Sequence, residues 1–588
     1  MTTDQNYQQI YRVGGMLDAG FVGQITYTIS LDQVYDELDI HFSFDKRLYS
    51  ESDVTPELID KLQTLCTAKY DAPTYPVEEF RQTILHEMKT EIHTMAELND
   101  NFIGCIHRQL TDRHMLYTKE FTSDGCLAQD TFSGVLKVTV LVFNVLLDNT
   151  QYTLTVSGHP VGQGVIAPNF NLMDTVKTAA GNTGASNAAE SADNSCEAES
   201  APASAVATAG SSGVSGAGST ATAGDSSTTG SSSAGNTVTA STRFKRLELH
   251  NHTVESDGSL TCQELTEYLA ADHVDAFAIT DHNTTSGQKK IEQLLEEKHY
   301  PISLIRGMEY TTYFGHILCL NLAKYVPWNS IDQHRPELLF EAAREKGALV
   351  GIAHPFSYGD PFARGCRFEM TVSDYSKVDF IEIFNNPEPL HEVNERGTNL
   401  WMSLIFSGYQ ITATSGMDLH NRAKLAGCYA TYIEGKNGGN IASELDTAIH
   451  THRTWVSKGA LLLTEVLPET NELLLTFTDA HKPGFSVPKT AQAVLKGKDK
   501  TFTTSVSLDK PVRISLNQLS GTDPIIPLLY EAPGINGAAT VSNAAHVAAS
   551  TSCGSAADAS SAAGQLKEID ALPAIEGLLC VSPVLYRD

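Results

Sequence analysis

In the middle of this chain, short apolar runs typical of strands alternate with segments whose apolar residues have helical spacing. Short apolar runs predict seven strands, and segments with apolar residues at helical spacing lie between most of them. The predicted strands are 246–250, 276–280, 302–307, 349–353, 379–384, 410–414 and 427–433. The predicted helices are 261–273, 286–298, 336–346 and 392–406. Repeated strand–helix units of this size are typical of a parallel sheet covered by helices, either doubly wound or closed, and seven strands suit a barrel.

The pattern on either side of this middle part predicts β-rich regions. The N-terminal region has predicted strands at 24–30, 38–44, 134–147 and 151–157, and predicted helices at 55–69 and 77–97. His86 and His93 would share one face of the second helix, where we interpret them as surface residues. The C-terminal strands are predicted at 472–478, 501–507, 512–517 and 578–585, and their pairing with the N-terminal strands is left open. No motif assigns chemistry to the N-terminal region, so we interpret it as a binding or oligomerisation domain.

Two stretches rich in Ser, Ala, Gly and Thr separate these regions. Such a composition buries too little apolar surface to offset the entropy of ordering the chain, and it predicts flexible segments. The sequence therefore predicts a β-rich N-terminal domain with a helical insertion at 1–175, followed by a disordered linker at 176–242 and a barrel at 243–458. The last region, 459–588, is predicted to be a β-rich C-terminal appendage with a low-complexity insertion near 534–564.

Composition and charge narrow the possible partners. The 588 residues include 41 basic and 70 acidic side chains, and the net charge of −29 disfavours duplex DNA or RNA, whose phosphates it would repel. No run approaches the roughly 20 apolar residues that cross a bilayer, so we expect no membrane partner. The ten cysteines form no CxxC pair, and the N-terminus lacks the basic start and apolar core of a secretory signal. We therefore expect reduced thiols and a cytoplasmic protein, whose oligomeric state is left open.

Histidines and carboxylates follow five of the seven predicted strands. His250 and His252 close the first strand in HNH, where residues two apart point to the same side. Asp257 comes next, and Gly258 allows a sharp turn before a predicted capping box of Thr261 with Glu264. The later strands are followed by Asp281 and His282 in TDH, Glu309 and His316 in E-x6-H, His354 in AHP, and Asp418 and His420 in D-x-H.

Each of these motifs alone has an ordinary structural explanation, such as a turn, a helix cap or a hydrogen bond to the backbone. Together they favour a metal site. The carboxyl ends of the parallel strands of a barrel form one face, so we expect these side chains to meet there. Few Lys or Arg residues are interleaved with them, and clustered acids and imidazoles need cations to compensate their charge.

The order of these motifs resembles the PHP (polymerase and histidinol phosphatase) family of metal-dependent phosphoesterases. The resemblance covers residues 243–457, and LHNHTVESDG, ITDHNTT, IEIFNN and SGMDLH are most similar to the CehA/McbA branch. It implies a distorted (β/α)7 barrel that holds two or three divalent ions. The implied ligands are His250, His252, Glu309 and Asp418 for the first ion, Glu309, His316 and His354 for the second, and Asp257, His282 and His420 for the third.

Imidazole and carboxylate ligands without thiolates suit Mn²⁺, Zn²⁺ or Fe²⁺. A shared carboxylate holds two ions about 3.5–4 Å apart, and such ions lower the pKa of bound water to about 7. We therefore predict hydrolysis of a small phosphomonoester or phosphodiester by a metal-bound hydroxide. His354 or His420 is an alternative proton donor to the leaving group, and Asp281 is predicted to orient an imidazole as a hydrogen-bond acceptor.

Three further residues are candidates for contacting substrate. Arg364 and Arg422 carry guanidinium groups that bind phosphate in a fork, although surface ion pairs explain them equally well. Asn385 ends a predicted strand and is a candidate for lining the pocket. Two other functions stay open: hydrolysis of a carbamate, amide or ester, as in relatives of the CehA/McbA type, and a non-catalytic binding protein.

Overall fold

The computed structural model describes residues 7–70, 75–108, 110–146, 148–161, 243–385, 392–482, 486–532 and 566–586. The predicted linker at 176–242 and the predicted insertion near 534–564 lie outside the described residues. The described part is a mixed α/β structure with much β-sheet and few helices.

Residues 8–160 form a seven-stranded antiparallel sheet with two helices between its second and third strands. The strands are β1 (Gln8–Leu17), β2 (Gly23–Phe44), β3 (Glu91–Leu98), β4 (Asn101–Ile106), β5 (Asp112–Tyr117), β6 (Phe132–Asn144) and β7 (Thr150–Pro160), and the helices are α1 (Pro56–Tyr70) and α2 (Val77–Glu87). The strand order is β1-β7-β2-β6-β3-β4, and β5 pairs with β2.

The prediction of one helix over residues 77–97 is wrong in its second half. Helix α2 ends at Glu87, Met88 is extended, and the following residues form β3. Apolar residues recur at helical spacing there, but β3 is paired on both sides, with β4 and β6, and is buried on both faces. Long-range pairing therefore overrides the local pattern. His86 is exposed, as predicted, but His93 is fully buried in the sheet.

The central part of the chain forms strands separated by helices, and all seven predicted strands occur. The strands are β8 (Arg243–Glu248), β9 (Ala276–Ile279), β10 (Ser303–Thr312), β11 (Gly315–Leu320), β12 (Leu349–Ile352), β13 (Phe380–Asn385), β14 (Thr412–Gly416), β15 (Ala430–Gly435) and β16 (Thr454–Ser457). The helices are α3 (Cys262–Ala271), α4 (Ser286–Lys298), α5 (Glu337–Arg344), α6 (Glu392–Phe406) and α7 (Ile441–His450).

Six of the seven predicted strands run in one direction. Strands β8, β9 and β10 pair in parallel, β11 pairs antiparallel with both β10 and β12, and β12, β13 and β14 pair in parallel. The seventh, β15, runs antiparallel to β8. The connection from β14 to β15 contains no helix in the described residues, and without a crossover the chain is not carried back to the start of the sheet. The carboxyl ends of six strands therefore meet at one edge.

Strand β14 ends the paired order of this sheet and lies against β15 and β16 through side chains. Thr431 Oγ1 accepts a hydrogen bond from Ser415 N at 2.8 Å and donates to Ser415 O at 2.9 Å, and Thr454 Oγ1 donates to Ala413 O at 2.7 Å. Within the described ranges no backbone ladder joins β14 to β15. The closed seven-stranded barrel therefore stays a prediction.

The C-terminal strands continue the central sheet. They are β17 (Ala460–Leu467), β18 (Glu472–Asp479), β19 (Thr490–Lys496), β20 (Thr501–Ser507), β21 (Val512–Ser515), β22 (Ile526–Glu531), β23 (Lys567–Ile569) and β24 (Leu578–Val581). Strand β24 pairs with β16 and leads to β22, β19, β20 and β23, while β17, β18 and β21 form a separate sheet. The pairing that the sequence left open is thus with the central sheet.

The N-terminal sheet packs on the hairpin of β10 and β11 and on the segment that follows it. The ring of Phe102 stacks on Tyr325 with centroids 3.9 Å apart, and the rings of Phe143 and Tyr313 are 4.7 Å apart. Tyr313, in the turn of the hairpin, also donates a hydrogen bond to Gly23 O at 2.9 Å. One hydrophobic core therefore includes residues of both sheets. Among the described helices, none is long and apolar enough to cross a bilayer.

Gly351 on β12 offers a test of this packing. A Cβ at this position would lie 2.1 Å from the ring of Phe380 on β13, and both residues are buried. We expect Gly351→Ala to lower the free energy of unfolding by about 1–3 kcal/mol, because a buried ring must move. Urea denaturation followed by circular dichroism measures this change.

Gly397→Ala on α6 is the matched control. A Cβ there meets nothing closer than 3.5 Å, and alanine is the better helix former by about 0.5–1 kcal/mol. We expect this variant to be at least as stable as the wild type. Equal losses of stability in both variants would contradict the packing described for β12 and β13.

Candidate metal centre

Two isolated parallel bridges continue the sheet beyond its strand ends and bring the predicted site residues together. His252 N donates to Leu419 O at 3.0 Å, and Leu419 N donates to His250 O at 3.1 Å. Glu309 N donates to Thr280 O at 3.1 Å, and the bridge there joins His282 to Glu309. The segments that follow β8, β9 and β14 therefore lie side by side with β10 at the carboxyl edge.

The loop that carries Asp257 is fixed at both ends. Asp281 accepts hydrogen bonds from Thr253 N at 2.7 Å and Ser256 Oγ at 2.7 Å, so it holds the first half of the loop. A Cβ at Gly258 would lie 2.4 Å from the carbonyl oxygen of His252, and only glycine fits there. The predicted capping box of Thr261 and Glu264 then begins α3, as the structure confirms.

Glu309 is fully buried, and its carboxylate faces five imidazoles. Oε1 lies 2.8 Å from His316 Nδ1 and 3.1 Å from His354 Nε2. Oε2 lies 3.0 Å from His282 Nδ1, 3.1 Å from His250 Nε2 and 3.3 Å from His252 Nε2. Burial alone would raise the pKa of Glu309, but the facing imidazoles hold it well below its usual range. The group is therefore a carboxylate that can bridge two cations.

The predicted ligands converge in three overlapping clusters, in each of which the ligand atoms lie within 4.8 Å of one another. The clusters are His250, His252, Glu309 and Asp418; His252, Asp257, His282 and His420; and His282, Glu309 and His316. The first has the same members as the first implied ligand set. The third implied set falls within the second cluster. His354 is outside these groups but touches Glu309 and lies 3.9 Å from Asp418 Oδ2.

Ring spacing indicates which histidines suit a shared ion. Two imidazoles bound to one tetrahedral ion at about 2.0–2.1 Å have ring centres roughly 5 Å apart. The spacing is 5.1 Å for His250 with His252, 5.1 Å for His316 with His354 and 5.4 Å for His282 with His316. His252 instead stacks on His420 and on His282 at 4.2 Å each. His252 therefore suits an ion shared with His250 better than one shared with His282 or His420.

Buried ligand atoms without a hydrogen bond indicate that these residues suit divalent cations. Within the described residues, six buried ligand atoms make no hydrogen bond: His250 Nε2, His252 Nε2, Asp257 Oδ1, Glu309 Oε2, His316 Nε2 and Asp418 Oδ1. A buried polar atom that makes no hydrogen bond costs about 1–3 kcal/mol. Bound cations would satisfy them, and oxygen and imidazole donors without thiolates suit borderline or hard metals.

The charges of the clustered carboxylates and imidazoles also favour bound cations. Burial would lower the pKa of His420, but the carboxylates of Asp257 and Asp418 raise it to about 10. Burial would raise the pKa of Asp418, but His250 and His420 hold it well below its usual range. Without cations, protonated imidazoles must therefore carry the positive charge that balances the carboxylates.

Two of the predicted site residues have strained backbones. Asp418 has φ 49° and His354 has φ 24°, values in the left-handed region that non-glycine residues rarely adopt. Such strain persists only where surrounding contacts impose it, and it clusters at functional sites. His354 N donates to Glu382 Oε2 at 3.1 Å, and His354 Nδ1 contacts Cys366 O at 3.2 Å.

Glu382 on β13 was not singled out from the sequence, although it lies within the quoted IEIFNN. It is buried, and its Oε1 accepts a hydrogen bond from His250 Nδ1 at 3.1 Å, so it directs His250 Nε2 towards Glu309. Asn385 Nδ2 donates to Glu382 Oε2 at 2.9 Å. Glu382 thus orients His250, whereas the orienting role of Asp281, which accepts hydrogen bonds from Thr253 and Ser256, stays a prediction. A carboxylate among the apolar residues of a fully buried strand was the available signal.

The structure shows protein partners for the three residues that were predicted to contact substrate. Arg364 is half-buried and pairs with Asp360 at 3.0 Å. Arg422 is exposed, with its guanidinium 5.5 Å from the ring centre of Tyr268. These contacts lie outside the three clusters, and Asn385 contacts Glu382. Roles in phosphate or substrate binding stay predictions for all three residues.

The N-terminal sheet contributes a histidine that no sequence signal indicated. His107 follows β4, is buried, and stacks on His282 with ring centroids 4.2 Å apart. Its Nε2 lies 3.4 Å from Asp257 Oδ2. Because His107 and Asp257 are 150 positions apart in different regions, only the tertiary structure brings them together.

Comparison with known proteins finds partial similarities. Residues 7–160 match the model of a "family of unknown function (DUF6669)". An uncharacterized protein of Methanocaldococcus jannaschii, MJ1587, is 30% identical over 112 residues, which are 19% of this chain and 58% of that protein. A 5′-3′ exoribonuclease of Haemophilus influenzae is 36% identical over 141 residues, 23% of this chain and 50% of that protein. The chain spans about half the length of these curated relatives.

Two solved structures are also similar in part. A two-domain protein of Bacteroides vulgatus, described as containing a predicted PHP-like metal-dependent phosphoesterase, matches with 15% identity and a TM-score of 0.28 over 49% of this chain and 90% of that chain. An amidohydrolase of Chromobacterium violaceum with bound sulfate matches with 16% identity and a TM-score of 0.23 over 30% of this chain and 87% of that chain. TM-scores this low do not establish a common fold.

Glu382 offers a test of how the centre holds its ligands. We expect Glu382→Gln to weaken Mn²⁺ binding about 10-fold or more, because removing a partner that orients a ligand imidazole typically costs 10–100-fold in metal affinity. Equilibrium dialysis with elemental analysis measures the affinity. Glu434→Gln, at an exposed position of β15, is the matched control and should bind Mn²⁺ like the wild type. Wild-type affinity in Glu382→Gln would contradict the orienting role.

Proposed function

We propose that this protein is a metal-dependent hydrolase that cleaves a small phosphomonoester or phosphodiester. The observation that carries the proposal is the buried Glu309 carboxylate, whose two oxygens face five imidazoles at 2.8–3.3 Å. A carboxylate shared by two cations is the usual core of a two-metal phosphoryl-transfer site. The similarity to exoribonucleases, whose names denote cleavage of RNA, supports a phosphoester as the substrate class.

The proposed cofactors are two or three divalent ions, of Mn, Zn or Fe. The proposed ligands are His250, His252, Glu309 and Asp418 for the first ion, Glu309, His316 and His354 for the second, and Asp257, His282 and His420 for the third. When bound, such ions supply a water of lowered pKa and neutralise charge on the phosphoryl oxygens. The first assignment is supported by a cluster of the same four residues, and the third set lies within a cluster that also contains His252.

The chain's own residues hold and orient the reacting groups. Glu309 fixes the spacing between the first two ligand sets, and Glu382 sets the orientation of His250. Asp281 holds the loop before Asp257, which is its proposed contribution to the site. His354 or His420 is the proposed proton donor to the leaving group, and the 32% exposure of the His420 side chain leaves it accessible to a substrate.

The proposal extends to the fold, the cellular location and the size of the substrate. We propose that residues 243–458 form a (β/α)7 barrel of the PHP type, in the CehA/McbA branch, with an N-terminal domain at 1–175 and a β-rich appendage at 459–588. A cytoplasmic location is supported by the eight described cysteines, all of which are free thiols. The net charge of −29 favours small or single-stranded phosphoesters over duplex nucleic acid.

The function is tested by metal analysis joined to a substrate screen. Purified protein loaded with Mn²⁺, Zn²⁺ or Fe²⁺ is assayed against phosphomonoesters, phosphodiesters, short single-stranded RNA and carbamates. We expect turnover of a phosphoester, and we expect His252→Ala to reduce it by at least 100-fold, because this change removes one ligand of the first cluster. Treatment with a chelator should abolish turnover, and added metal should restore it.

His481→Ala is the matched control for this assay. His481 is 81% exposed, far above the buried His252, and its substitution should leave turnover unchanged. Unchanged phosphoester turnover in His252→Ala would remove the proposed mechanism. Cleavage of carbamates alone would favour a carbamate, amide or ester hydrolase, and metal binding without any turnover would favour a binding protein.

A further inference from the structure

We propose that the N-terminal sheet supplies a positioning residue to the metal centre: His107 holds the carboxylate of Asp257 in the orientation in which it binds an ion. The inference rests on the metal-binding part of the proposed function, since Asp257 is a proposed ligand. It gives the region matched by the family of unknown function a direct role at the site.

The two oxygens of Asp257 face in different directions. Oδ2 lies 3.4 Å from His107 Nε2, whereas Oδ1 lies 3.2 Å from His420 Nε2 and 3.6 Å from His282 Nε2. Oδ1 makes no hydrogen bond within the described residues and points among the other ligands. A contact from His107 to Oδ2 therefore leaves Oδ1 directed at the ion.

The His107 ring contacts two other imidazoles. Its centroid is 3.9 Å from that of His93 and 4.2 Å from that of His282. His93 in turn contacts Glu91 at 3.2 Å, and all of these side chains are buried. The carboxylate oxygen of Asp257 beside Nε2 favours the ring form that donates from that atom.

The backbone around His107 is anchored to the central sheet. Cys105 N donates to Gly125 O at 2.9 Å, and Thr284 Oγ1 donates to the same oxygen at 2.9 Å. Gly125 N donates to Glu255 Oε2 at 3.0 Å, and Glu255 lies two residues before Asp257. A Cβ at Gly125 would lie 2.3 Å from Cys105 O, so the chains approach each other closely. His107 and the Asp257 loop are therefore fixed relative to each other.

A separate ion held by the N-terminal residues is the main alternative. Glu91, His93 and His107 do have ligand atoms within 4.8 Å of one another. The rings of His93 and His107 are 3.9 Å apart, however, which is shorter than the roughly 5 Å expected for imidazoles that share an ion. This spacing favours a positioning role.

The test is a Mn²⁺ titration of the full chain with His107→Ala and His107→Gln. We expect the concentration that fills the last Mn²⁺ site to rise about 10–100-fold in His107→Ala. The glutamine retains an N–H donor, so His107→Gln should recover part of this affinity. His86→Ala on α2 is the control and should titrate like the wild type, since His86 is exposed and lies outside the groups of clustered ligand atoms. Circular dichroism confirms folding, and if the alanine variant unfolds, the glutamine variant carries the test.

A double-mutant cycle with Asp257→Asn separates positioning from a general loss of structure. If His107 acts through Asp257, His107→Ala should have no further effect on Mn²⁺ binding in the Asp257→Asn background. Equal effects in both backgrounds would overturn the inference, as would wild-type titration of His107→Ala. Loss of a whole additional ion in both backgrounds would place that ion at Glu91, His93 and His107 instead. Because the readout is binding, a wild type that hydrolyses nothing would refute the proposed function alone.

Discussion

The buried carboxylate of Glu309 constrains this structure more than any other group. A charge removed from water must be compensated where it lies, and here the compensation comes from imidazoles on three other segments of the chain and on its own hairpin. Those segments reach Glu309 only because six strands run in one direction and end at one edge. The orientation of the sheet, the parallel bridges beyond its strands and the strained backbones at His354 and Asp418 all serve this convergence.

Much of this convergence can be predicted from the sequence, because its determinants are local. The two-residue spacing of His250 and His252 on a strand, and the recurrence of His and acidic residues after successive apolar runs, need no tertiary information. The structure brings the nine implied metal ligands close together. Glu382 was visible in the same way, as a charge in an apolar strand, but its partner His250 could not be identified from spacing alone.

The features that could not be predicted depend on contacts between distant parts of the chain. Residues 91–98 have helical spacing, yet they form β3 because β4 and β6 pair with both of its edges. Strand β15 reverses direction because its connection lacks a helix, which strand periodicity does not report. The contact of His107 with Asp257 joins a region without any recognisable motif to the loop that follows the HNH motif. Sequence motifs alone therefore do not predict that the N-terminal sheet contacts the site.

The hairpin of β10 and β11 places Glu309 and His316 on adjacent strands joined by a two-residue turn at Tyr313 and Phe314. Thr311 is opposite His316 and Glu309 is opposite Leu318. Side chains alternate between the two faces of a strand, so gaining or losing one residue in this turn would rotate His316 away from Glu309. The facing of His316 towards Glu309 thus constrains the length of this turn. In homologous chains the number of residues between this acid and this histidine should therefore be constant.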